Sequence, residues 1–482
     1  MVANYTPAKK FRKDDDFTPG GRNDRRPDRA CIAYTNLIKK HCKGRPIILA
    51  GIEASLRRIA HYDYWSDSIR RSILFDSKAD ALVYGMGELT NLEIARLMRD
   101  GADWTGVDGI CRISSQRPEG CIELPSYEEV SDRVNRDPFM KAYSIFRRNS
   151  DPITASPLCQ RHGDRWLVQN RPRRCMTSEE LDSAYGSDFE NAVHPYYGKD
   201  GKVRAMDTVR NSLTTHRGCY GDCSFCAIAV HQGTTVVSRS ESSIIGEAER
   251  IASSEGFDGV IRDVGGPTAN MYGIECAKKE AHGRCEDRRC LGGRPCPHLR
   301  IDHSRQTALL DSISRIDGVR RVFVNSGIRH DMILADGRNG PPYLESLVSS
   351  HVSGQMKIAP EHVCDRVLKV MGKPGSDVLL GFKRMFDGCC ERLGKDEYLT
   401  YYFIAAHPGC RNEDMITLSR FCSRELSIHP EQVQVFTPTP STYSTAMWWC
   451  GCDIEGKPIF VERSLPRRQH QKDIVVGNRN GR

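Results

Sequence analysis

Long apolar runs are missing from this chain of 482 residues. A helix that crosses a bilayer needs roughly eighteen consecutive apolar residues, and no stretch of the sequence reaches that length. The first residues are polar and basic and lack the apolar core of a secretory signal. These absences predict a soluble, cytoplasmic protein without a membrane partner.

Neither sign of charge dominates the sequence. It has 70 Lys and Arg against 62 Asp and Glu, a formal net charge of +8, with local basic excess at residues 9–13, 22–29 and 467–468. Such runs are most often solvated, and no nucleic-acid-binding motif accompanies them, so RNA is only weakly supported as a partner. The 20 cysteines in a chain of this length indicate metal chemistry in a reducing compartment rather than a disulfide scaffold.

Three cysteines, Cys219, Cys223 and Cys226, are spaced C-x3-C-x2-C, and no fourth cysteine lies close by. Such a loop can supply three thiolates, each to one iron of a [4Fe-4S] cluster, and it leaves the fourth iron open to a small molecule. A structural zinc site and inert buried thiols are the alternatives. Zinc prefers four ligands in two separated pairs, and buried thiols would follow helix or strand periodicity, so the cluster explains the pattern best.

The pattern of apolar segments predicts an α/β protein with two folded parts. Residues 1–30 form a basic flexible segment, and residues 31–140 form a Rossmann-like, doubly wound domain with a helix at 29–41 and strands at 46–50 and 79–84. Ligands of such sheets bind where strands end, which here places five residues: Gly51, Glu53, Gly85, Gly87 and Glu88. These glycines equally suit simple tight turns.

After a connector at 141–205, residues 206–445 predict a partial (β/α)6 barrel. Its strands are expected at 208–214, 259–263, 321–325, 355–358, 399–404 and 432–436. Its helices are expected at 242–254, 307–316, 343–352, 376–393 and 414–427. The chemistry of a parallel barrel belongs at the carboxyl ends of its strands, and the three cysteines follow the first strand. Residues 446–482 are interpreted as the start of a C-terminal extension.

Six segments together resemble the YgiQ family of radical S-adenosylmethionine (radical SAM) proteins. They are GIEASLRR at 51–58, HYDYWSD at 61–67, RRSIL at 70–74, VYGMGE at 83–88, THRGC at 215–219 and FTPTPS at 436–441. The resemblance implies a [4Fe-4S] cluster at the three cysteines, S-adenosylmethionine at its open iron, and a cobalamin-binding-like N-terminal domain. No Asp-x-His-x-x-Gly is present to supply a histidine to cobalt, so the sequence argues against cobalamin. Both ends look short for the family, which predicts a truncated N-terminal sheet.

The resemblance also implies roles for residues around the barrel mouth. Phe225 matches the aromatic position beside the adenine, and the glycine-rich segment Gly265, Gly266 and Pro267 matches the one that binds the methionine amino group. The polar residues that follow later strands are candidates for ribose, carboxylate or substrate contacts: Asn325, Ser326, Arg329, Lys357, Glu361 and His407. A helix cap or a structural ion pair explains any one of the latter about as well.

A second cysteine group occupies an insertion at 276–300. Its members are Cys276, Cys285, Cys290 and Cys296, separated by eight, four and five residues. Four thiols in a segment with little apolar content predict a bound metal, either zinc or an auxiliary iron–sulfur cluster. The spacing matches neither paired zinc knuckles nor a ferredoxin run.

The predicted function is reductive cleavage of S-adenosylmethionine, followed by hydrogen abstraction from an unidentified substrate. An external electron donor such as flavodoxin or ferredoxin is the implied partner. Two alternatives remain: an RNA-modifying radical SAM enzyme and a non-catalytic iron–sulfur or zinc module. Neither fold nor cysteines choose among the possible products.

Overall fold

The computed structural model describes residues 4–477. Its N-terminal part contains α1 (Ala30–His41), β1 (Ile48–Leu49), α2 (Gly51–Leu56), β2 (His61–Asp63), β3 (Ser68–Arg70), α3 (Ile73–Ser77), β4 (Ala81–Val83), α4 (Glu88–Arg99), β5 (Ile110–Ser114), β6 (Ile122–Leu124), α5 (Tyr127–Val130), α6 (Asp137–Arg148), β7 (Leu158–His162), β8 (Arg165–Gln169) and α7 (Ser178–Tyr185).

The barrel part and the C-terminus contain α8 (Met206–Val209), β9 (Ser212–Thr214), β10 (His216–Arg217), α9 (Ala227–His231), β11 (Val237–Ser238), α10 (Glu241–Ala252), β12 (Val260–Ile261), β13 (Asp263–Gly265), α11 (Ala277–His282), α12 (Ser304–Ser314), β14 (Arg321–Val322), α13 (His330–Ala335), α14 (Gly340–Ser346), a π-helical turn (Leu347–His351), β15 (Gln355–Glu361), α15 (Asp365–Met371), α16 (Ser376–Leu393), β16 (Tyr398–Ala405), α17 (Asn412–Arg424), β17 (Val433–Val435), α18 (Tyr443–Cys450) and α19 (Leu465–Val476). Single 3-10 turns lie at Pro19–Gly21, Pro195–Asp200 and Ala269–Met271.

The N-terminal domain is built on a six-stranded mixed sheet in the order β1-β4-β5-β8-β7-β6. Only the two outer pairs, β1 with β4 and β6 with β7, run parallel. The sheet therefore differs from the doubly wound arrangement expected from sequence, because β5, β7 and β8 are joined as antiparallel neighbours.

Strands β7 and β8 come from residues that the sequence assigned to a connector. They form a hairpin whose two-residue loop is Gly163-Asp164, and Gly163 has a φ of +67°, which glycine adopts without strain. A Gly-Asp pair between two partly apolar runs predicts a hairpin. The assignment of residues 141–205 to a connector did not take this pattern into account. The N-terminal domain consequently extends past residue 140, to at least Gln169.

The segment expected to be flexible is anchored on this domain. Asp15 is buried and pairs with Arg26 at 2.6 Å, and Tyr64 donates a hydrogen bond to the carbonyl oxygen of Pro7 at 2.6 Å. Isolated bridges join Tyr5 to Phe11 and residue 14 to residue 22. Side-chain pairing thus holds a stretch that its composition marks as polar and irregular.

Two cysteines of the N-terminal sheet form a disulfide that the sequence analysis did not predict. Cys121 precedes β6 and Cys159 lies in β7, and their Cα atoms are 5.9 Å apart. The two strands are parallel neighbours, which brings cysteines 38 residues apart in sequence side by side. The cysteine count predicted metal chemistry rather than a disulfide scaffold, and this single pair does not make one.

The prediction of a partial parallel barrel is confirmed. Strand β9 pairs in parallel with β13, β12 with β14, and β15, β16 and β17 follow as a parallel run. An isolated parallel bridge between Ile328 and Ile358 joins the two runs. The first strand begins later than predicted because residues 206–209 form the helical turn α8.

The C-terminal helices connect the two domains. Trp448 and Trp449 of α18 are buried in the same apolar cluster as Tyr62 of the N-terminal domain, whereas α19 contacts α17 and β17 of the barrel. No helix within residues 4–477 combines the length and the apolar character that a membrane span needs.

Candidate functional site

The three spaced cysteines lie on the loop that follows β10 and ends at α9. The antiparallel pair β10 and β11 holds the base of the loop, and Cys226 is the residue before the first turn of α9. A Cβ atom placed on Gly221 would lie 3.3 Å from Cys219 Sγ and 3.5 Å from Cys223 Sγ. Any side chain at this position would therefore press on both thiols.

Burial makes the thiols of Cys219 and Cys226 hard to deprotonate. It raises the pKa of Cys226 to about 12, and it raises the pKa of Cys219, which the neighbouring Cys223 raises further. Deprotonation of thiols in such surroundings requires a compensating positive charge, which a bound metal centre supplies.

Within residues 4–477, no three His, Cys, Asp or Glu side chains are arranged around one metal-ion position, and this holds for both cysteine groups. Each ligand of a four-iron cluster binds a different iron, so such a cluster does not need its ligands around a single position. The three thiols of the loop have the ligand chemistry of such a cluster.

The glycine-rich segment lies against the cysteine loop. Thr268, the residue after Pro267, has its Oγ1 3.5 Å from Cys219 Sγ. A Cβ atom on Gly266 would lie 2.6 Å from the ring of His216, so a larger residue would displace this buried histidine. Burial lowers the pKa of His216 to about 4, which keeps the ring neutral at neutral pH.

Arg329 contacts the loop at Cys223. Its Nη1 is 3.8 Å from Cys223 Sγ, while Nε and Nη2 donate to the two carboxylate oxygens of Asp331 at 2.9 and 2.6 Å. Burial alone would raise the pKa of Asp331, but the guanidinium lowers it to about 2. Arg329 thus brings a positive charge to the cysteine loop, and its partner Asp331 is a carboxylate at neutral pH.

The third group beside the loop surrounds Phe225. The ring of Phe225 stacks edge-on against His407 at 6.1 Å, and Lys373 Nζ lies 6.0 Å from its centroid. Lys373 forms a buried ion pair with Glu361 at 3.4 Å. Glu361 has a φ of +69°, a left-handed conformation that is costly for a residue with a side chain and is concentrated at functional sites.

A cavity of about 690 Å³ separates the two domains at the barrel mouth. The N-terminal domain lines it with Gly51, Gly85, Gly87 and Glu88, and the barrel lines it with Asp263, Gly265, Gly266, Pro267 and Ser326. An ion pair between Arg217 and Glu88 joins the two walls. The strand-end glycines of the first domain therefore face the glycine-rich segment of the second.

Not every predicted residue faces this cavity. Glu53 pairs with Arg57 instead, and the Asn325 side chain donates to the carbonyl oxygen of Arg262 at 2.6 Å. Ser326 lines the cavity and donates to Asp263, whose carboxylate also accepts the backbone N–H of Asn325 at 2.8 Å. Lys357 is half-buried in β15.

The insertion at 276–300 covers one side of the cysteine loop. Arg284 pairs with Asp222 at 2.5 Å, Arg289 donates to Ser224 Oγ at 3.0 Å, and Lys279 donates to Thr234 Oγ1 at 2.8 Å. Of the second cysteine group, Cys276 and Cys296 are buried. Burial raises the pKa of Cys290, Lys279 lowers it, and the other three cysteines of the group raise it further. The four thiols therefore share one small region next to the loop, and a metal at this region stays a prediction.

Sequence reasoning missed several residues that contact the site. Asp331, Lys373, Asn270 and Asp222 have no motif of their own, and only their neighbours in the fold give them a role. Asp222 had one usable signal, its position between Cys219 and Cys223.

Comparisons with known proteins identify the family of this chain. A family model described as Radical SAM N-terminal matches residues 1–212. A UPF0313 protein from Fusobacterium nucleatum subsp. nucleatum is 51% identical over 485 residues, which cover 100% of this chain and 85% of that protein. A UPF0313 protein from Thermotoga maritima is 46% identical over 486 residues, with 100% and 85% of the two chains covered.

A solved structure of the cobalamin-dependent S-adenosylmethionine radical enzyme OxsB is 10% identical, with a TM-score of 0.49, over 89% of this chain and 47% of that one. This similarity is too distant to transfer any ligand. The close relatives decide the family instead. The chain belongs to the UPF0313, or YgiQ, family of radical SAM proteins.

Proposed function

We propose that this protein cleaves S-adenosylmethionine reductively with a [4Fe-4S] cluster held by Cys219, Cys223 and Cys226, and abstracts hydrogen from a substrate in the cavity between its domains. The observation that carries the proposal is that the half-buried thiols of Cys219 and Cys223 both lie within 3.5 Å of one point, the Cβ position of Gly221, on the loop after the first barrel strand. A bound cluster would supply the single electron that breaks a sulfonium bond.

The residues around the loop have separate tasks in this proposal. The backbone at Gly265 and Gly266 would bind the methionine amino group, and Phe225 would lie beside the adenine. Glycines there let the backbone approach a ligand closely. Ser326 and Arg329 complete the proposed cofactor contacts, and the two hydrogen bonds from Arg329 to Asp331 leave only its Nη1 toward the loop. Asn325 has no part in them, because its side chain is bound to the carbonyl oxygen of Arg262.

The cavity would hold the substrate between the two domains. Its lining comes from both domains, which the Arg217–Glu88 ion pair joins, and includes the glycine-rich segment. A reactive radical must be sequestered to avoid side reactions, and the bound substrate together with the lining of both domains would provide this. The polar lining at Asp263, Ser326 and Glu88 suits a substrate with hydrogen-bonding groups.

The partner in the proposal is an external one-electron donor such as flavodoxin or ferredoxin, in a reducing cytoplasm. A second metal, zinc or iron–sulfur, at Cys276, Cys285, Cys290 and Cys296 is part of the same proposal. The support is the burial of two of these thiols and their contact with the cysteine loop region. Iron and zinc analysis of anaerobically purified protein tests it: about four irons and no zinc per chain would contradict a second metal.

The central test is product formation under anaerobic conditions. Reconstituted protein with dithionite and S-adenosylmethionine is expected to form 5′-deoxyadenosine and methionine, and Cys223→Ala is expected to lose this activity. Cys422→Ala, a buried thiol in α17, is the matched control and should retain it.

Two outcomes would contradict the proposal. An intact cluster without any 5′-deoxyadenosine would favour the non-catalytic iron–sulfur module. Equal activity of Cys223→Ala and the native protein would show that the cluster is not held as proposed. The RNA-modifying alternative predicts that added RNA stimulates cleavage of S-adenosylmethionine.

A further inference from the structure

Arg329 is buried against the cysteine loop and bound on several sides. Its side chain is 8% exposed, and it carries a positive charge to within 3.8 Å of Cys223 Sγ. The same guanidinium nitrogen would be 2.9 Å from a Cβ atom on Gly221. Arg329 Nη1 and the thiols of Cys219 and Cys223 therefore surround the same point.

Asp331 fixes the direction of the guanidinium. Its two carboxylate oxygens accept from Nε and Nη2, so the plane of the fork is set and Nη1 is the nitrogen left to face Cys223. Asp331 is 3% exposed, and burial of both partners excludes competing water. The pair places its positive end nearest to the sulfur.

Asn270 holds the backbone of the same residue. Its Oδ1 accepts the N–H of Arg329 at 2.8 Å, and its Nδ2 donates to the carbonyl oxygen of Arg329 at 3.0 Å. Asn270 is completely buried. The backbone N–H and the carbonyl oxygen of Arg329 are thereby both bound by one side chain.

A buried histidine and a carboxylate orient this amide. His303 Nδ1 lies 2.9 Å from Asp336 Oδ2, and Nε2 lies 3.2 Å from Asn270 Nδ2. Because the carboxylate only accepts, Nδ1 carries the proton, and Nε2 is free to accept from the amide. The hydrogen bonds run without conflict from Asp336 through His303 and Asn270 to Arg329.

We infer that Arg329 is a positioning residue that raises the reduction potential of the cluster at Cys223, and that Asp331 and the Asp336–His303–Asn270 chain hold it there. The inference rests on the proposed function, since it needs a cluster on the three cysteines. It assigns Arg329 to the cluster in addition to the cofactor contact expected from the family.

The physical reason is the charge change on reduction. The oxidised cluster takes one electron from the external donor, with no proton transferred, and its net charge becomes more negative by one. A hydrogen-bond donor and positive charge next to a ligand sulfur stabilises the reduced form more than the oxidised form. The carboxylate of Asp331, which contacts Nε and Nη2 rather than Nη1, opposes this effect. Asp331→Asn removes that negative charge and keeps one oxygen that accepts from the guanidinium.

These two residues should therefore shift the potential in opposite directions. A redox titration of reconstituted full-length protein, followed by electron paramagnetic resonance, should give a more negative midpoint for Arg329→Gln and a more positive one for Asp331→Asn. Asn270→Ala should shift the midpoint in the same direction as Arg329→Gln, by less. Arg117→Gln and Glu123→Gln, which alter an exposed ion pair in the N-terminal domain, are the matched controls and should leave it unchanged.

Opposite shifts cannot come from general loosening of the fold, which would move both variants alike or lower iron content in both. Unchanged midpoints, or shifts of the same sign, would overturn the inference while the cluster of the native protein still supports the proposed function. A native protein with no cluster signal would overturn both. If Arg329→Gln takes up no iron, the sign of the shift in Asp331→Asn decides.

Discussion

His162 in β7 is a buried histidine whose ring nitrogens contact no carboxylate of the described residues. It is stacked on Phe75 at 4.4 Å and on Tyr127 at 5.4 Å, and burial, with Arg71 nearby, lowers its pKa to about 3. The unfolded chain binds a proton at this residue below about pH 6.5, whereas the folded protein does not until about pH 3. The free energy of unfolding therefore decreases as the pH falls from about 6.5 to about 3.

His162→Phe tests this linkage, because phenylalanine keeps the stacking and cannot titrate. Between pH 7 and pH 5 the native protein should lose about 2 kcal/mol more unfolding free energy than the variant. Urea unfolding at the two pH values measures the difference. His429→Phe, an exposed position, should behave like the native protein, and equal pH dependence of His162→Phe and native protein would refute the linkage.

Strained backbone also occurs near the proposed site. Four residues other than glycine have left-handed φ values there: Asp222 at +42°, Glu361 at +69°, Ala406 at +58° and Ser441 at +62°. Asp222 lies in the cysteine loop, Glu361 ends β15, and the other two follow β16 and β17. Such conformations persist only where the surrounding structure enforces them.

At the scale of elements, the insertion at 276–300 behaves as a cover over the cysteine loop. Three polar contacts hold it, and Asp222 receives both Arg284 and Arg147, the latter from α6 of the N-terminal domain. One carboxylate in the loop thus joins three elements. Loss of this pairing should release the insertion before it affects the barrel.

Arg284→Ala should accelerate amide hydrogen exchange across residues 276–300. The ion pair is mostly buried, with side chains 20% and 17% exposed, so its loss should lower the local opening free energy by about 1–2 kcal/mol and speed exchange about tenfold. Arg288→Ala, at an exposed neighbour paired with Asp287, is the control and should leave exchange unchanged. Faster exchange spread evenly over the barrel would contradict a local role.

At the scale of the whole molecule, Arg468 connects the two domains. From α19 its Nη1 donates to the Tyr64 hydroxyl at 2.8 Å and its Nη2 donates to the carbonyl oxygen of Phe436, which follows the last barrel strand. Its guanidinium also lies 4.7 Å from the ring of Trp448, and the residue is 1% exposed. One buried charge therefore serves both domains and the C-terminal helices.

Arg468→Ala should destabilise the protein by about 3 kcal/mol, because it removes charged hydrogen bonds and leaves a buried carbonyl oxygen unpaired. Chemical unfolding gives the difference. Arg467→Ala, the adjacent residue with a side chain 71% exposed and a single ion pair to Glu462, should cost less than about 1 kcal/mol. Equal losses in the two variants would refute the assignment of Arg468 as the connecting residue.

The sequence by itself determined the position of the cysteine loop and the order of strands and helices in the barrel. Both are local: the cysteine spacing is contained in eight residues, and each β/α unit shows its own apolar period. The family resemblance was equally readable, because it depends on short contiguous segments. Strand boundaries erred by a few residues, as at α8, where a polar helical turn precedes the first strand.

Only the tertiary structure decided the pairings between distant segments. It joined Cys121 to Cys159, placed Gly85 and Glu88 opposite the glycine-rich segment, and set Arg329 between Asp331 and Cys223. Strand order and ion pairs depend on which surfaces pack together, and no local period encodes that choice. The neighbours of a residue in the fold, rather than in the chain, give it its charge environment and therefore its role.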